Sequence, residues 1–195
     1  GRIVRWITSL PPRDPTSPPT PNLARATASG AITDGAQLKA WVMVSLEETF
    51  GRSEGVTLVS AWTAFHARDG DRLVALDREA SALRPSSTAR RASRAMGMRL
   101  LSTWQTLHPR AAIADMQARL RDGSGGPTLP VAFAIACASA DIERRSSAEA
   151  FAYTRLAATV SAAMRLMAIG QIEAHTLLAD ALTHVPRIVE GLDAR

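Results

Sequence analysis

The side chains able to carry acid, base or metal chemistry are few and scattered. The four histidines are His66, His108, His175 and His184, and no two of them complete an H-E-x-x-H pattern. Glu173 and His175 are two positions apart and so point to different faces of a helix. His184 falls at a helix C-terminus, where an imidazolium is favoured in any case. Structural or surface roles are expected for His66, His108 and His184. His175 differs, because it shares a helix face with Gln171 at i,i+4. Cys137, the only cysteine, sits in an apolar run with no basic neighbour, so it reads as an inert buried thiol. No G-x-S-x-G elbow is present, and GSGGP (123–127) lacks the Gly-Lys-Ser/Thr ending of a phosphate loop. The six methionines recur at helical spacing and read as adaptable core filler rather than a soft-metal site. The pattern predicts no catalytic residue, no cofactor site and no metal site, so the chain is expected not to be an enzyme.

Binding chemistry has more to work with. RPSSTARRASR (84–94) places Arg90, Arg91 and Arg94 near the start of a helix, where they could grip phosphates or an acidic partner. A solvated helical face is the plainer alternative. A helical nucleic-acid-binding regulator using segment 84–99 is a second possibility, but no compact helix-turn-helix with a polar recognition helix is evident. The net charge of +5 is uneven, since residues 1–29 carry Arg2, Arg5, Arg13 and Arg25 against Asp14 alone. The folded remainder is close to neutral, which argues against a nucleic-acid footprint. One cysteine allows no intrachain disulfide, so a reducing, cytoplasmic compartment is expected. Residues 1–29 lack the apolar core of a signal peptide, and no apolar run is long enough for a membrane span.

The elements that must position these groups are helical. Six of the eleven prolines lie in PPRDPTSPPTP (11–21), so residues 1–29 read as a disordered Pro/Arg-rich arm. Residues 30–195 read as one all-α domain, a bundle of about eight to ten helices. Asp34 with Gln37 forms a capping box opening a helix that carries Leu38, Trp41, Val42 and Leu46 inward and ends at Gly51. A second helix, about 54–67, turns Leu58, Trp62 and Phe65 inward. A third, about 71–83, groups Leu73, Leu76, Ala80 and Leu83, and Pro85 stops it. The fourth, about 87–107, shows the stripe Ala92, Met96, Leu100, Trp104 and Leu107. A short fifth helix covers about 110–121, and GSGGP follows as a flexible loop. Pro130 suits the first turn of a sixth helix carrying Val131, Phe133, Ile135 and Cys137. The seventh opens on a capping box of Ser146 and Glu149 and is apolar on nearly every face, as a buried helix would be. The eighth runs from Gln171 to His184.

Between the last two lies MRLMAIGQIEAHTLL (164–178). Gly170 is placed to close the seventh helix in the left-handed conformation, with Gln171 opening the eighth. On that reading Gly170→Ala disturbs the junction and lowers stability, while Gln171→Ala alters registry or partner binding.

Three segments together resemble the urease accessory protein UreF family. ASGAITDGAQLKAWV (28–42) is similar to its small-residue turn followed by V/I-T-D and a helix of the L-x-x-W/F-L kind. RRASRAMGMRLLSTW (90–104) resembles its Arg-rich helix running into M-G-x-x-L-L. PVAFAIACASADI (130–142), a long apolar helix and then Arg165-Leu166 with Gly170-Gln171 resemble P-V-A-x-G and R-L-x-x-L-G-Q. The order and spacing hold over about 160 residues. The likeness does not reach RIVRWITSLPPRDPTSPPTPN, ahead of the LARATASG run, and GLDAR stands where chains of that family commonly continue to a basic tail.

The resemblance implies an all-helical, homodimeric, non-enzymatic protein of the cytoplasm. It would act as a chaperone or scaffold with UreD (UreH in some organisms), the GTPase UreG and the urease apoprotein. That complex inserts nickel into apo-urease at the expense of GTP, so nickel and GTP would be handled by partners. The partner-binding candidates are Arg90, Arg91 and Arg94 by charge, and Arg165, Gly170, Gln171 and His175 by motif. Neither nucleic acid nor membrane is expected as a partner.

Overall fold

The computed structural model describes residues 21–84 and 86–192. Expectations that fall on residues 1–20, on Pro85 or on residues 193–195 lie outside the described residues. The fold is all-α, with ten α-helices, one π-helical segment and no strand among the described residues. In chain order these are α1 (Pro21–Ala28), α2 (Gly35–Val44), the π segment (Ser45–Glu54), α3 (Gly55–His66), α4 (Gly70–Ala82) and α5 (Ser87–Leu107). Then follow α6 (Ala111–Ser124), α7 (Leu129–Ser139), α8 (Arg144–Leu166), α9 (Gln171–Thr183) and α10 (Val185–Glu190). They cluster into two compact units. The first joins residues up to Leu46 with Tyr153–Val185, and the second joins Glu47–Ala152 with the residues from Pro186 onward.

In the first unit, α1 corrects the arm expected over residues 1–29 at Pro21–Ala28 only, since residues 1–20 lie outside the described residues. The helix begins at Pro21, since proline costs nothing at a first helical position. Leu23 behind it is fully buried, and that burial ties the segment to the unit. Gly30, at φ 73°, turns the chain out of α1. The α2 cap forms as expected: Asp34 Oδ1 accepts the Gln37 N–H at 2.8 Å, and Gln37 Oε1 accepts the Thr33 N–H at 2.8 Å. Leu38, Val42 and Leu46 are buried, as are Ala174, Leu177 and Ala181 of α9, which packs on α2. Lys39 Nζ reaches Asp180 Oδ2 at 2.6 Å across this contact. That hydrogen bond holds the Asp180 carboxyl below the usual carboxylate range. Glu173 of α9 lies against Gly35 at the start of α2, where the helix dipole favours a carboxylate.

Gly51 does not end the first long helix. The chain stays helical from Gly35 to His66 by way of the π segment. A glycine costs a helix about 1 kcal/mol, and burial of Phe50, Leu58 and Val59 on either side outweighs that.

In the second unit α7 is the buried axis, packed by α3 on one side and α5 on the other. Every residue from Pro130 to Ser139 is buried, so the helix apolar all round is α7 rather than α8. The α8 helix exposes Tyr153, Ser161 and Arg165. Phe133 and Phe151 meet edge to face at 5.1 Å, and Trp104 Nε1 donates to Ser139 Oγ at 2.8 Å. The α8 capping box does not form. The helix starts at Arg144, and Glu149 is taken by Arg145 at 3.1 Å, one turn back.

The α5 boundaries and the burial of Trp104 agree with expectation, but the rest of its buried face does not. Ser93, Gly97, Leu101 and Trp104 face inward, while Met96 and Leu107 are 36% and 62% exposed. The helix is rotated so that Gly97 lies against the backbone of residues 127–128 and Ser93 against the Leu129 N–H, while Met98 rests on Gly126 from the side. Leu83, expected inward, is exposed at the end of α4.

Burial pushes the Cys137 thiol up to about 12, so it stays protonated at neutral pH. Native protein should therefore resist maleimide, and urea-unfolded protein should label fast. Equal labelling rates, read by mass spectrometry, would show that the thiol is accessible.

Candidate interaction surface

The sequence-predicted residues fall in both units. Arg90, Arg91 and Arg94 lie in the first two turns of α5, in the second unit. Arg165, Gly170, Gln171 and His175 belong to the first unit.

The α5 helix starts from Ser86, whose hydroxyl accepts the Ala89 N–H at 3.1 Å. Two of its arginines turn inward. Arg90 donates to the Arg84 carbonyl at 2.7 Å. Arg84 in turn pairs with the buried Glu54 at 2.9 Å. Arg94 donates to the Gly126 carbonyl at 2.6 Å and reaches Asp77 Oδ2 at 3.5 Å. Arg91 alone of the three points to solvent.

Asp77 is the hub that sequence reasoning missed. It is fully buried on α4. Its Oδ1 accepts the Thr128 N–H at 2.6 Å, and its Oδ2 accepts the Ser124 hydroxyl at 2.7 Å. Ser93 of α5 accepts the next N–H of α7, that of Leu129, at 3.1 Å. One carboxylate and one hydroxyl thus cap α7 from two other helices, and Arg94 balances the charge. The signal was legible: Asp77 lies four residues after Leu73, on the apolar face of α4. The Thr128 hydroxyl itself is buried and has no hydrogen-bond partner among the described residues.

In the first unit, Arg165 is exposed in the last turn of α8. Gly170 is the N-cap of α9 at φ −72° and ψ 157°. It is extended, not left-handed, and a Cβ there would meet nothing within 4 Å. The expected closing role is therefore corrected: α8 already ends at Leu166, and Met167–Ile169 span the gap. Gly170→Ala should change stability by less than about 1 kcal/mol, the ordinary range for an N-cap exchange. Urea denaturation showing a larger loss would restore the junction role. Gln171 and His175 are both exposed one turn apart, beside Ile172, which is 86% exposed. The three form a small patch of polar and apolar side chains at the start of α9.

Two histidines are accounted for by packing. His66 lies on Trp62 and His108 on Trp104, with ring centroids 3.9 and 4.1 Å apart. Among the described residues no three His, Cys, Asp or Glu side chains gather as a metal site would need, and no helix is long and apolar enough to cross a membrane.

The UreF family model matches residues 32–182, from the turn before α2 almost to the end of α9. The chain belongs to the UreF family. It is similar to the urease accessory protein UreF of Methylorubrum populi, at 30% identity over 169 residues, covering 87% of this chain and 74% of that protein. The UreF of Methylibium petroleiphilum is 29% identical over 169 residues, 87% of this chain and 70% of the relative. That of Actinobacillus pleuropneumoniae is 24% identical over 162 residues, 83% and 71% of the two chains. Within this UreF chain the paired residues of the M-G and G-Q motifs have separate work. Gly97 is a packing residue and Met96 is half in solvent, whereas Gly170 and Gln171 lie at an exposed helix start.

Proposed function

We propose that this UreF chain is a urease-maturation scaffold. It joins UreD (or UreH) and the GTPase UreG on the urease apoprotein, and couples GTP hydrolysis by UreG to nickel insertion. The observation that carries this reading is the family match over 32–182, with relatives whose names state a urease accessory role. Nickel is cargo here, and the scaffold's contribution is to hold partners in register. The described surface suits that work: Arg165, Gln171, Ile172 and His175 are exposed in one unit, and among the described residues no three His, Cys, Asp or Glu side chains gather as a metal site would need. On this reading the chain works as a homodimer in the cytoplasm.

Arg165, Gln171 and His175 supply the docking contacts in the first unit. They are exposed, so replacing all three by alanine should leave the thermal melt in place. Co-purification with UreD and UreG should then fall about tenfold or more, as loss of a central arginine anchor does. Unchanged complex formation would remove these residues from the interface, and absence of any complex with the parent chain would remove the scaffold reading.

A further inference from the structure

The outward face of α5 does not behave like an ordinary solvated helix surface. Arg91, Ala95, Met98, Arg99 and Ser102 follow one another at i, i+4, i+7, i+8 and i+11, and all five are exposed. Met96 and Leu107 flank this ridge, and Met98 is itself 40% exposed. Among the described residues of the second unit, every exposed large apolar side chain lies on α5 or at Leu83, the residue that caps α4. Such concentration marks an interaction surface, and methionine suits a surface that must fit a partner's shape.

The charge on this face has one sign. The α5 helix holds four arginines and no acidic residue. Arg90 and Arg94 are spent on internal acceptors. Arg91 and Arg99 make no hydrogen bond or ion pair with other described residues. They stand eight residues apart, about 12 Å along the axis, with small Ala95 between them and Ser102 just beyond. A helix could approach closely over those small residues, as ridges pack into grooves.

The geometry points to a docking groove on α5 for an acidic amphipathic helix of a partner protein. That helix carries carboxylates two turns apart to meet Arg91 and Arg99, and apolar residues between them to cover Met98. A second copy of this face is excluded by charge, since arginine would meet arginine. Duplex nucleic acid fits less well: two free arginines offer two phosphate contacts, and the methionines and Leu107 offer none. The inference goes beyond the maturation reading, because it holds for whichever protein supplies the helix.

The test uses the full chain and a fluorescein-labelled amphipathic helical peptide of about five turns, carrying two glutamates two turns apart beside an apolar stripe. A second peptide has lysine at the same two positions. Anisotropy should show binding of the glutamate peptide and not of the lysine peptide. Arg91→Glu with Arg99→Glu should weaken the first about tenfold or more and let the second bind. Both positions are exposed, so an unchanged circular-dichroism melt will verify the fold of the double variant. Equal affinity for the two peptides, or no inversion in the double variant, overturns the groove. So does tighter binding of a DNA duplex, or of phosphatidylserine vesicles, that is lost in the same variant. No urease component enters this measurement, so its failure leaves the maturation reading standing, and failure of urease maturation leaves the charge inversion intact.

Discussion

Asp77→Ala should lower the unfolding free energy by about 3–5 kcal/mol, the cost of breaking a buried charge cluster by removing one member. The carboxylate has no exposure to water and collects the Thr128 N–H, the Ser124 hydroxyl and the Arg94 guanidinium. Removing it leaves the buried Thr128 N–H without its acceptor, the Ser124 hydroxyl with the Leu120 carbonyl alone, and the half-buried Arg94 cation with a carbonyl but no counter-charge. It also unfastens the start of α7, the axis of its unit. Asp77→Asn keeps the shape and one acceptor oxygen, and should fall between. Urea unfolding followed by circular dichroism gives both values. A loss below about 1 kcal/mol in the alanine variant would mean that the hub is dispensable.

Gly97→Ala is expected to destabilise, against the usual sign. In an open helix interior the change gains up to about 1 kcal/mol. Here the added Cβ would run into the Pro127 carbonyl oxygen and stand 2.8 Å from the carbonyl carbon and oxygen of Thr128. These are backbone atoms and cannot rotate away. They also belong to the strand of chain that Asp77 and Ser93 hold in place. Overpacking of this kind costs about 1–3 kcal/mol, so a net loss of about 2 kcal/mol is expected. A variant as stable as the parent, by the same denaturation curves, would show that α5 can move off α7. The contrast with Gly170→Ala is diagnostic, because only one of the two glycines is sterically required.

Much of the helical frame was legible from spacing and caps. The Asp34 cap forms as expected, whereas the caps at Asp69 and Ser86 were not among the expectations and the one expected at Ser146 does not form. A cap is a local event, which makes the Asp34 cap readable from local sequence. What was not legible is tertiary. The α5 stripe was misassigned because counting apolar residues favours Met96 and Leu107 over Ser93 and Gly97. Close approach of another backbone selects the small residues instead. Gly51 was read as a stop because glycine is a poor helix former, whereas the buried residues around it keep the helix running. Gly170 was read as left-handed because glycine so often is, yet three residues already separate it from the end of α8.

The candidate surface was legible in part. The Arg-rich start of α5 was visible, but which arginines remain free depends on carbonyls and a carboxylate supplied by α4 and the chain before α7. Only the folded arrangement separates Arg91 and Arg99 from Arg90 and Arg94. Arg99 carries no motif signal, and its importance rests on its exposure beside Met98.

The central claim is that this chain serves nickel delivery to urease. It is tested most directly by the nickel content of urease purified from a host carrying the urease genes and their accessory genes, with and without the gene for this chain. The account predicts nickel-poor, inactive urease without it and restoration when the chain is supplied in trans. Fully nickel-loaded, active urease in its absence would contradict the account.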